Sequence, residues 1–322
     1  MILAALLAAG LQGACPAEPP PRPLRPSANA SYLAPDGAVR IVGYNDMAGM
    51  IVGWDKLFER RHPGVRFAPD LPSTRSAPPA LIAGRSALAP MGAEMTPEDI
   101  AFLGAPPLVI QVAHDSLDPK ALSGPLGVMV AAGNPLRALS LDQIARLYAA
   151  NGGVRTWGDL GLTGKWATAP IHRLGLKPQT AIALFMQARL FPVRDYTQDL
   201  TGFGHSTEVA QAVAKDPLAI GFASLNVPLA GVRVAAISPG PGAPAVAPTR
   251  ANLQSGRYPL DRQLLIYARA PPDPLVRAYL ELALSCEGQA LVAADPLGYI
   301  PLTPAQAAAE RAKLEAADQP PR

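Results

Sequence analysis

The stretch Val39–Phe67, VRIVGYNDMAGMIVGWDKLFERRHPGVRF, constrains the fold more than any other part of the chain. Val39 and Ile41 begin an apolar run that stops at Gly43-Tyr44-Asn45-Asp46. Apolar residues then recur at Met47, Met50, Ile51, Trp54, Leu57 and Phe58, the spacing of one helical face. Asn45 or Asp46 is the expected N-cap, and His62-Pro63-Gly64 ends the helix. Val65-Arg66-Phe67 opens the next strand. A helix that begins just past the C-terminal edge of a strand aims free backbone N–H groups at the space above the sheet, which suits an anion. Strand, loop and helix alone are also the ordinary first unit of an α/β sheet.

The rest of the chain continues this alternation. Thr96-Pro97-Glu98-Asp99 reads as a capped helix start, and Ser140-Leu141-Asp142-Gln143 as a capping box. Leu108–Ala113, Leu126–Ala132, Leu218–Ala223 and Gln263–Ala268 read as apolar strands. Ser206-Thr207-Glu208 is the expected cap of a helix running to Lys215. Thr180–Leu190 reads as a helix after the loop Gly175-Leu176-Lys177-Pro178-Gln179. Thr303–Ala317 reads as a final Ala-rich helix. The pattern predicts an α/β fold with mainly parallel sheets.

The 322 residues suffice for two medium domains. Apolar residues make up 49% and charged ones 16%, which argues against a long disordered chain. A net charge of +3 is too small to argue for nucleic acid. The histidines His62, His114, His172 and His205 have no metal spacing, and neither a G-x-S-x-G nor a P-loop motif occurs. No enzyme, metal or cofactor is expected. His114-Asp115 is read as a hinge hydrogen-bonding pair, and Trp54, Trp157 and Trp166 as packing residues.

Met1–Cys15 is apolar, too short to span a bilayer, and resembles the hydrophobic part of an export signal. Gly13-Ala14 before Cys15 resembles a bacterial lipobox, with Gln12 where an aliphatic residue is usual. Cys15 is thus a candidate for lipidation, with a plain cleaved signal as the alternative. Residues 16–38 are expected to form a flexible Pro-rich tether. Cys286 lies in a helical pattern and is read as a buried small residue, without a disulfide.

Several segments, in order, resemble the periplasmic phosphate-binding protein of the ABC phosphate transporter, a PstS-like family with a type II solute-binding fold. They are the opening unit with Trp54, Phe58 and His62-Pro63-Gly64; Ala89–Met95; Asn134-Pro135-Leu136 with Thr156–Leu160; Ile220-Gly221-Phe222; Gly256–Arg262; and Leu284–Gln289 with Gly298–Leu302. The resemblance implies two lobes with a ligand cleft between them. Lobe 1 is expected at 39–115 and 262–303, lobe 2 at 116–261, and a C-terminal helix and tail at 304–322. It also implies a small-molecule ligand, phosphate or another small anion, an ABC permease as partner, a periplasmic or lipid-anchored location, and a monomer. Membrane contact is expected only through a lipid anchor.

The ligand loops depart from the family pattern. Where Gly-Ser and a Thr or Asp are usual, the chain has Gly43-Tyr44-Asn45-Asp46. Ser73-Thr74-Arg75-Ser76 keeps its polar character. A Ser-Arg or Ser-Asp pair is replaced by Gly92-Ala93. An Arg followed by Ser-Gly-Thr is replaced by Gly175 to Ala181. The candidate ligand residues are Asn45, Asp46, Ser73, Thr74, Arg75, Lys177, Gln179 and Thr180, with Arg173 as a further source of charge. Weak phosphate binding follows, and the alternative is an envelope sensor or interaction protein that has lost phosphate.

Overall fold

The computed structural model describes residues 15, 24–27, 29–240 and 242–317. The expected signal segment before Cys15 and residues 16–23 of the expected tether lie outside them. Two hydrophobic cores organise the chain. The first gathers Met47, Trp54, Phe58, Val112, Ile266, Tyr279 and their neighbours. The second gathers Val128, Tyr148, Trp157, Phe222, Tyr258 and theirs. Each belongs to one lobe.

Lobe 1 begins with β1 (Val39–Val42), α1 (Ala48–Arg61), β2 (Phe67–Asp70), α2 (Ala77–Ile82), β3 (Ala89–Met91), α3 (Pro97–Leu103) and β4 (Leu108–His114). Lobe 2 follows with β5 (Leu126–Ala131), β6 (Ala138–Ser140), α4 (Leu141–Tyr148), β7 (His172–Leu176), α5 (Ala181–Leu190), β8 (Thr201–Phe203), α6 (Ser206–Lys215), β9 (Ala219–Ser224), β10 (Val232–Val234), β11 (Ala236–Ser238) and α7 (Arg250–Gln254). The chain returns to lobe 1 as β12 (Gln263–Ala268), α8 (Pro274–Ala283), α9 (Cys286–Ala293), β13 (Ile300–Pro301) and α10 (Pro304–Ala316).

The sheets are mixed, not mainly parallel. Lobe 1 has the order β13-β4-β12-β3, and the parallel pair β1-β2 joins it through a bridge from Ile41 to Leu88. Lobe 2 has the order β10-β5-β9-β7-β8. The lobe crossings explain the mixture. β4 carries the chain out of lobe 1 and β12 brings it back alongside, so the two are antiparallel. β5 and β9 are antiparallel in lobe 2. Helical crossovers keep β1-β2 and β7-β9 parallel, while β10-β5, β12-β3 and β13-β4 are also antiparallel.

Local signals placed several helices correctly. Ser140 forms the expected capping box, Thr96 caps α3 as expected and does so as a box with Asp99, and Thr180 accepts from the Ala183 N–H to cap α5. The cap of α6 is His205, one residue earlier than read. Ser206 Oγ instead accepts from the Ser224 N–H at 3.2 Å. The start of α1 has no side-chain cap, because Asp46 is used elsewhere.

The described part of the expected tether packs on lobe 1. Leu24, Tyr32 and Leu33 lie against its core, and the Tyr32 hydroxyl donates to Asp273 at 2.6 Å. Arg40 donates to the carbonyls of Ser31 and Tyr32, fixing the segment to β1. At the other end α10 buries Ala307 and Leu314, and Glu310 accepts the Gln111 N–H of β4 at 3.0 Å. That carboxylate covers a backbone donor at the sheet edge.

Cys15 and Cys286 form a disulfide across 271 residues of sequence. Cys286 is therefore an exposed half-cystine at the start of α9, not a buried thiol. A thioether lipid at Cys15 needs the same sulfur, so acylation and this disulfide exclude each other. Among the described residues no helix is long and apolar enough to cross a membrane.

Candidate interlobe binding site

Three loops of lobe 1 meet at the cleft. Gly43 leaves β1 pressed against β3; a Cβ there would sit 2.2 Å from the Pro90 carbonyl oxygen. The Tyr44 N–H donates to that carbonyl at 2.9 Å. The Tyr44 ring then lies over Gly92, where a Cβ would come within 2.5 Å of Cε1. A side chain at position 92 and the ring of Tyr44 compete for one space. The Gly92 N–H donates to Thr74 Oγ1 at 3.1 Å, which ties the second loop to the third. Ser76 Oγ donates to the Ser73 carbonyl at 2.7 Å.

Asp46 sits where α1 begins and is buried. Its carboxylate accepts from the Tyr299 hydroxyl and from the Leu122 N–H, both at 2.6 Å. The positive end of α1 thus already has an anion, supplied by the chain itself. Two backbone donors, at Tyr44 and Gly92, are also taken internally. Lobe 1 therefore offers a bound anion less than the bare strand–loop–helix pattern implies.

The hinge is built from two connectors that hold each other. His114 donates through Nδ1 to Asp261 Oδ2 at 2.6 Å, and the Asp115 N–H donates to Asp261 Oδ1. The Leu126 N–H donates to the Leu260 carbonyl at 3.0 Å, and the Tyr258 hydroxyl to the Leu126 carbonyl at 2.8 Å. Burial raises the Asp261 carboxyl above its ordinary value, against the lowering effect of His114. Burial likewise pushes the Asp115 carboxyl up to about 7, although Arg262 opposes this.

Arg262 links the hinge to the cleft. It is 6% exposed. Nη1 donates to Ser123 Oγ at 3.0 Å and Nη2 to the Gly92 carbonyl at 2.9 Å. Ser123 Oγ in turn donates to Asp115 Oδ2 at 2.9 Å. The buried Nε has no hydrogen-bond partner. From the opposite lobe the Phe185 ring of α5 stands 5.8 Å from the guanidinium carbon. A cavity of about 130 Å³ opens here, lined by Gly92, Ala93, Phe185, Arg189, Tyr258 and Arg262 among others.

The residues singled out in the sequence divide accordingly. Asp46, Ser73 and Thr74 lie in the converging lobe 1 loops. Asn45 and Arg75 are exposed there. Lys177 and Gln179 are exposed on the turn before α5, and Thr180 is spent as its cap, with its hydroxyl on the Lys177 carbonyl at 2.8 Å. Arg173 is buried inside lobe 2, where it donates to the carbonyls of Leu147 and Val154 and pairs with Asp199, so it supplies no charge to the cleft. Tyr44, Ser123, Phe185 and Arg262 were not among the candidates. Arg262 stands at the end of the family-like segment Gly256–Arg262, just before β12, and that position was the available signal.

No family model matches the chain. It is 31% identical over 291 residues to the phosphate-binding protein PstS of Pseudomonas aeruginosa, with 86% of each chain covered. Among solved structures, PstS from Borrelia burgdorferi superposes with a TM-score of 0.60 at 17% identity, covering 83% of this chain and 99% of that one. An ABC-type phosphate transport receptor from Vibrio cholerae gives 0.57 at 18% identity, covering 81% and 98%. A possible phosphate binding protein from Planctomyces limnophilus gives 0.55 at 21% identity, covering 88% and 99%. At these identities the superpositions speak to the fold, and it is the two-lobed type II fold read from the sequence. The identity over most of both chains decides the lineage: the protein belongs to the PstS phosphate-binding family of solute-binding proteins.

Proposed function

We propose that the protein captures a small oxyanion, phosphate or a close analogue, between its lobes and presents it to an ABC permease at the periplasmic side of the envelope. The observation that carries this reading is the cavity at the lobe junction, lined by Gly92 of lobe 1, Phe185 of lobe 2 and Arg262 of the hinge. A ligand there touches all three parts and so favours the closed arrangement. We place the protein in the periplasm as a monomer, with Cys15 in its disulfide rather than on a lipid. No catalytic role is assigned to any residue.

Phosphate binding should be weak for this family. Gly92-Ala93 and the Gly175–Ala181 loop lack two guanidinium groups and shift the hydroxyls of the family pattern. Each charge-assisted bond is worth about 1.5–3 kcal/mol, so two losses weaken binding roughly a thousandfold. Isothermal titration of phosphate into ligand-free, refolded protein tests the reading, with sulfate and small carboxylates in parallel. A micromolar or weaker constant for one of these anions is expected. Sub-micromolar phosphate binding would refute the weakness argued here, and silence with every anion would refute solute capture.

A second reading, an envelope sensor or interaction protein that keeps the fold without phosphate, draws on Tyr44 and Asp46. Both fill lobe 1 positions where a ligand-binding loop would leave room.

A further inference from the structure

We propose that the ligand of this cleft is a short zwitterion, a small molecule with an oxyanion at one end and an ammonium at the other. Arg189 takes the oxyanion and Glu94 the ammonium. The inference rests on the solute-binding reading and narrows the chemistry of what is captured.

The charges around the cavity sort into partners. His114 holds Asp261 at 2.6 Å, and Asp115 holds Arg262 through the Ser123 hydroxyl. Each hinge cation is matched by a hinge carboxylate, so the hinge has no net charge to offer a ligand. Two charged side chains that line the cavity remain, Glu94 and Arg189. Among the described residues Glu94 has no hydrogen-bond or ion-pair partner. Arg189 bonds only through Nε, to the Pro259 carbonyl at 3.1 Å, which fixes its stem against the hinge connector and leaves both Nη groups to bond.

These two groups have opposite sign and stand on opposite lobes. Glu94 follows β3 in lobe 1, and Arg189 lies on α5 in lobe 2. A lone oxyanion is attracted by Arg189 and repelled by Glu94, so its Coulomb terms largely cancel; a lone amine fares no better. A molecule with both signs meets an attractive group at each end, and each contact is charge-assisted. Because the contacts lie on different lobes, such a ligand holds the cleft closed. Phe185 precedes Arg189 by four residues and shares its face of α5. That apolar ring suits the short hydrocarbon link between the charged ends. Gly92 and Ala93 add no charge to the lobe 1 wall.

Isothermal titration at about pH 7 compares two matched couples: aminoethylphosphonate with ethylphosphonate, and β-alanine with propionate. The members of a couple differ by the ammonium. In at least one couple the full chain should bind the zwitterion about tenfold or more tighter than its partner, and that couple identifies the oxyanion end. Glu94→Gln removes the carboxylate charge and should bring this ratio to within about threefold. Arg189→Gln should weaken the zwitterion about tenfold or more. Both residues are exposed, so neither change disturbs a core, and thermal midpoints check the fold. Equal binding within both couples, or a preference that survives Glu94→Gln, would overturn the assignment. So would phosphate binding without binding of either zwitterion. In each of these cases solute capture stands. A protein that binds none of the four probes, nor phosphate or sulfate, would instead overturn the functional reading beneath it.

Discussion

Tyr44 and Gly92 make a measurable pair. A methyl group at position 92 would lie 2.5 Å from Tyr44 Cε1 and 2.9 Å from Cδ1 and Cζ. The ring cannot easily yield, because Tyr44 is 8% exposed and its N–H is held by the Pro90 carbonyl. Overpacking of this kind costs about 1–3 kcal/mol. Loss of glycine's freedom in the unfolded chain returns about 0.4–1 kcal/mol. Gly92→Ala should therefore destabilise by about 1–2 kcal/mol. Tyr44→Ala removes a buried ring and should cost about 3–5 kcal/mol on its own. In the double variant the new methyl enters the space the ring has left. The two changes should then cost about 1–3 kcal/mol less together than the sum of their separate effects. Urea unfolding followed by both tryptophan fluorescence and circular dichroism measures the cycle, and coincident transitions license its two-state treatment. Additivity within about 0.5 kcal/mol would refute the competition for space on which the reading of this loop rests.

Three further outcomes are expected. Burial pushes the Asp55 carboxyl from 3.8 up to about 7, with the Tyr279 hydroxyl bond opposing this and Glu59 adding to it. The folded state thus holds this proton more tightly than the unfolded one. Ionisation costs stability progressively as pH rises from about 4, and fully above 7, by at most about 4 kcal/mol. Asp55→Asn should accordingly raise the melting temperature at pH 8 and not at pH 4; equal destabilisation at both would contradict it. Unreduced protein from the native host should show no alkylatable thiol and two after reduction, whereas a diacylglycerol mass on Cys15 would exclude the disulfide. Small-angle scattering should show a smaller radius of gyration with saturating phosphate, and an unchanged radius would count against closure.

What the sequence made legible was what depends on near neighbours. Thr96 and Ser140 cap helices because the group they satisfy is three residues away. The turn at His62-Pro63-Gly64 and the hinge role of His114 were likewise readable. Asp46 does not cap α1, because its partners are Leu122 and Tyr299, distant in sequence and close only once both lobes are built. The same holds for Cys15 and Cys286, whose spacing says nothing of their contact. Arg173 and Arg262 both stand at the start of a strand, and local pattern cannot tell which one faces a core and which a cleft. The mixed sheets follow from where the chain changes lobes, and apolar alternation does not encode that.

The Cys15–Cys286 bond makes most of the molecule a closed covalent circuit. Both hinge connectors, all of lobe 2 and the first half of lobe 1 lie within it, and the docked segment with Tyr32 lies just inside its near end. Lobe closure therefore happens inside a ring, and opening the backbone at one place does not divide the chain. Pro244 and Ala245, exposed between β11 and α7, are an accessible place for such a cut. A molecule nicked there stays one covalent piece until it meets a reductant.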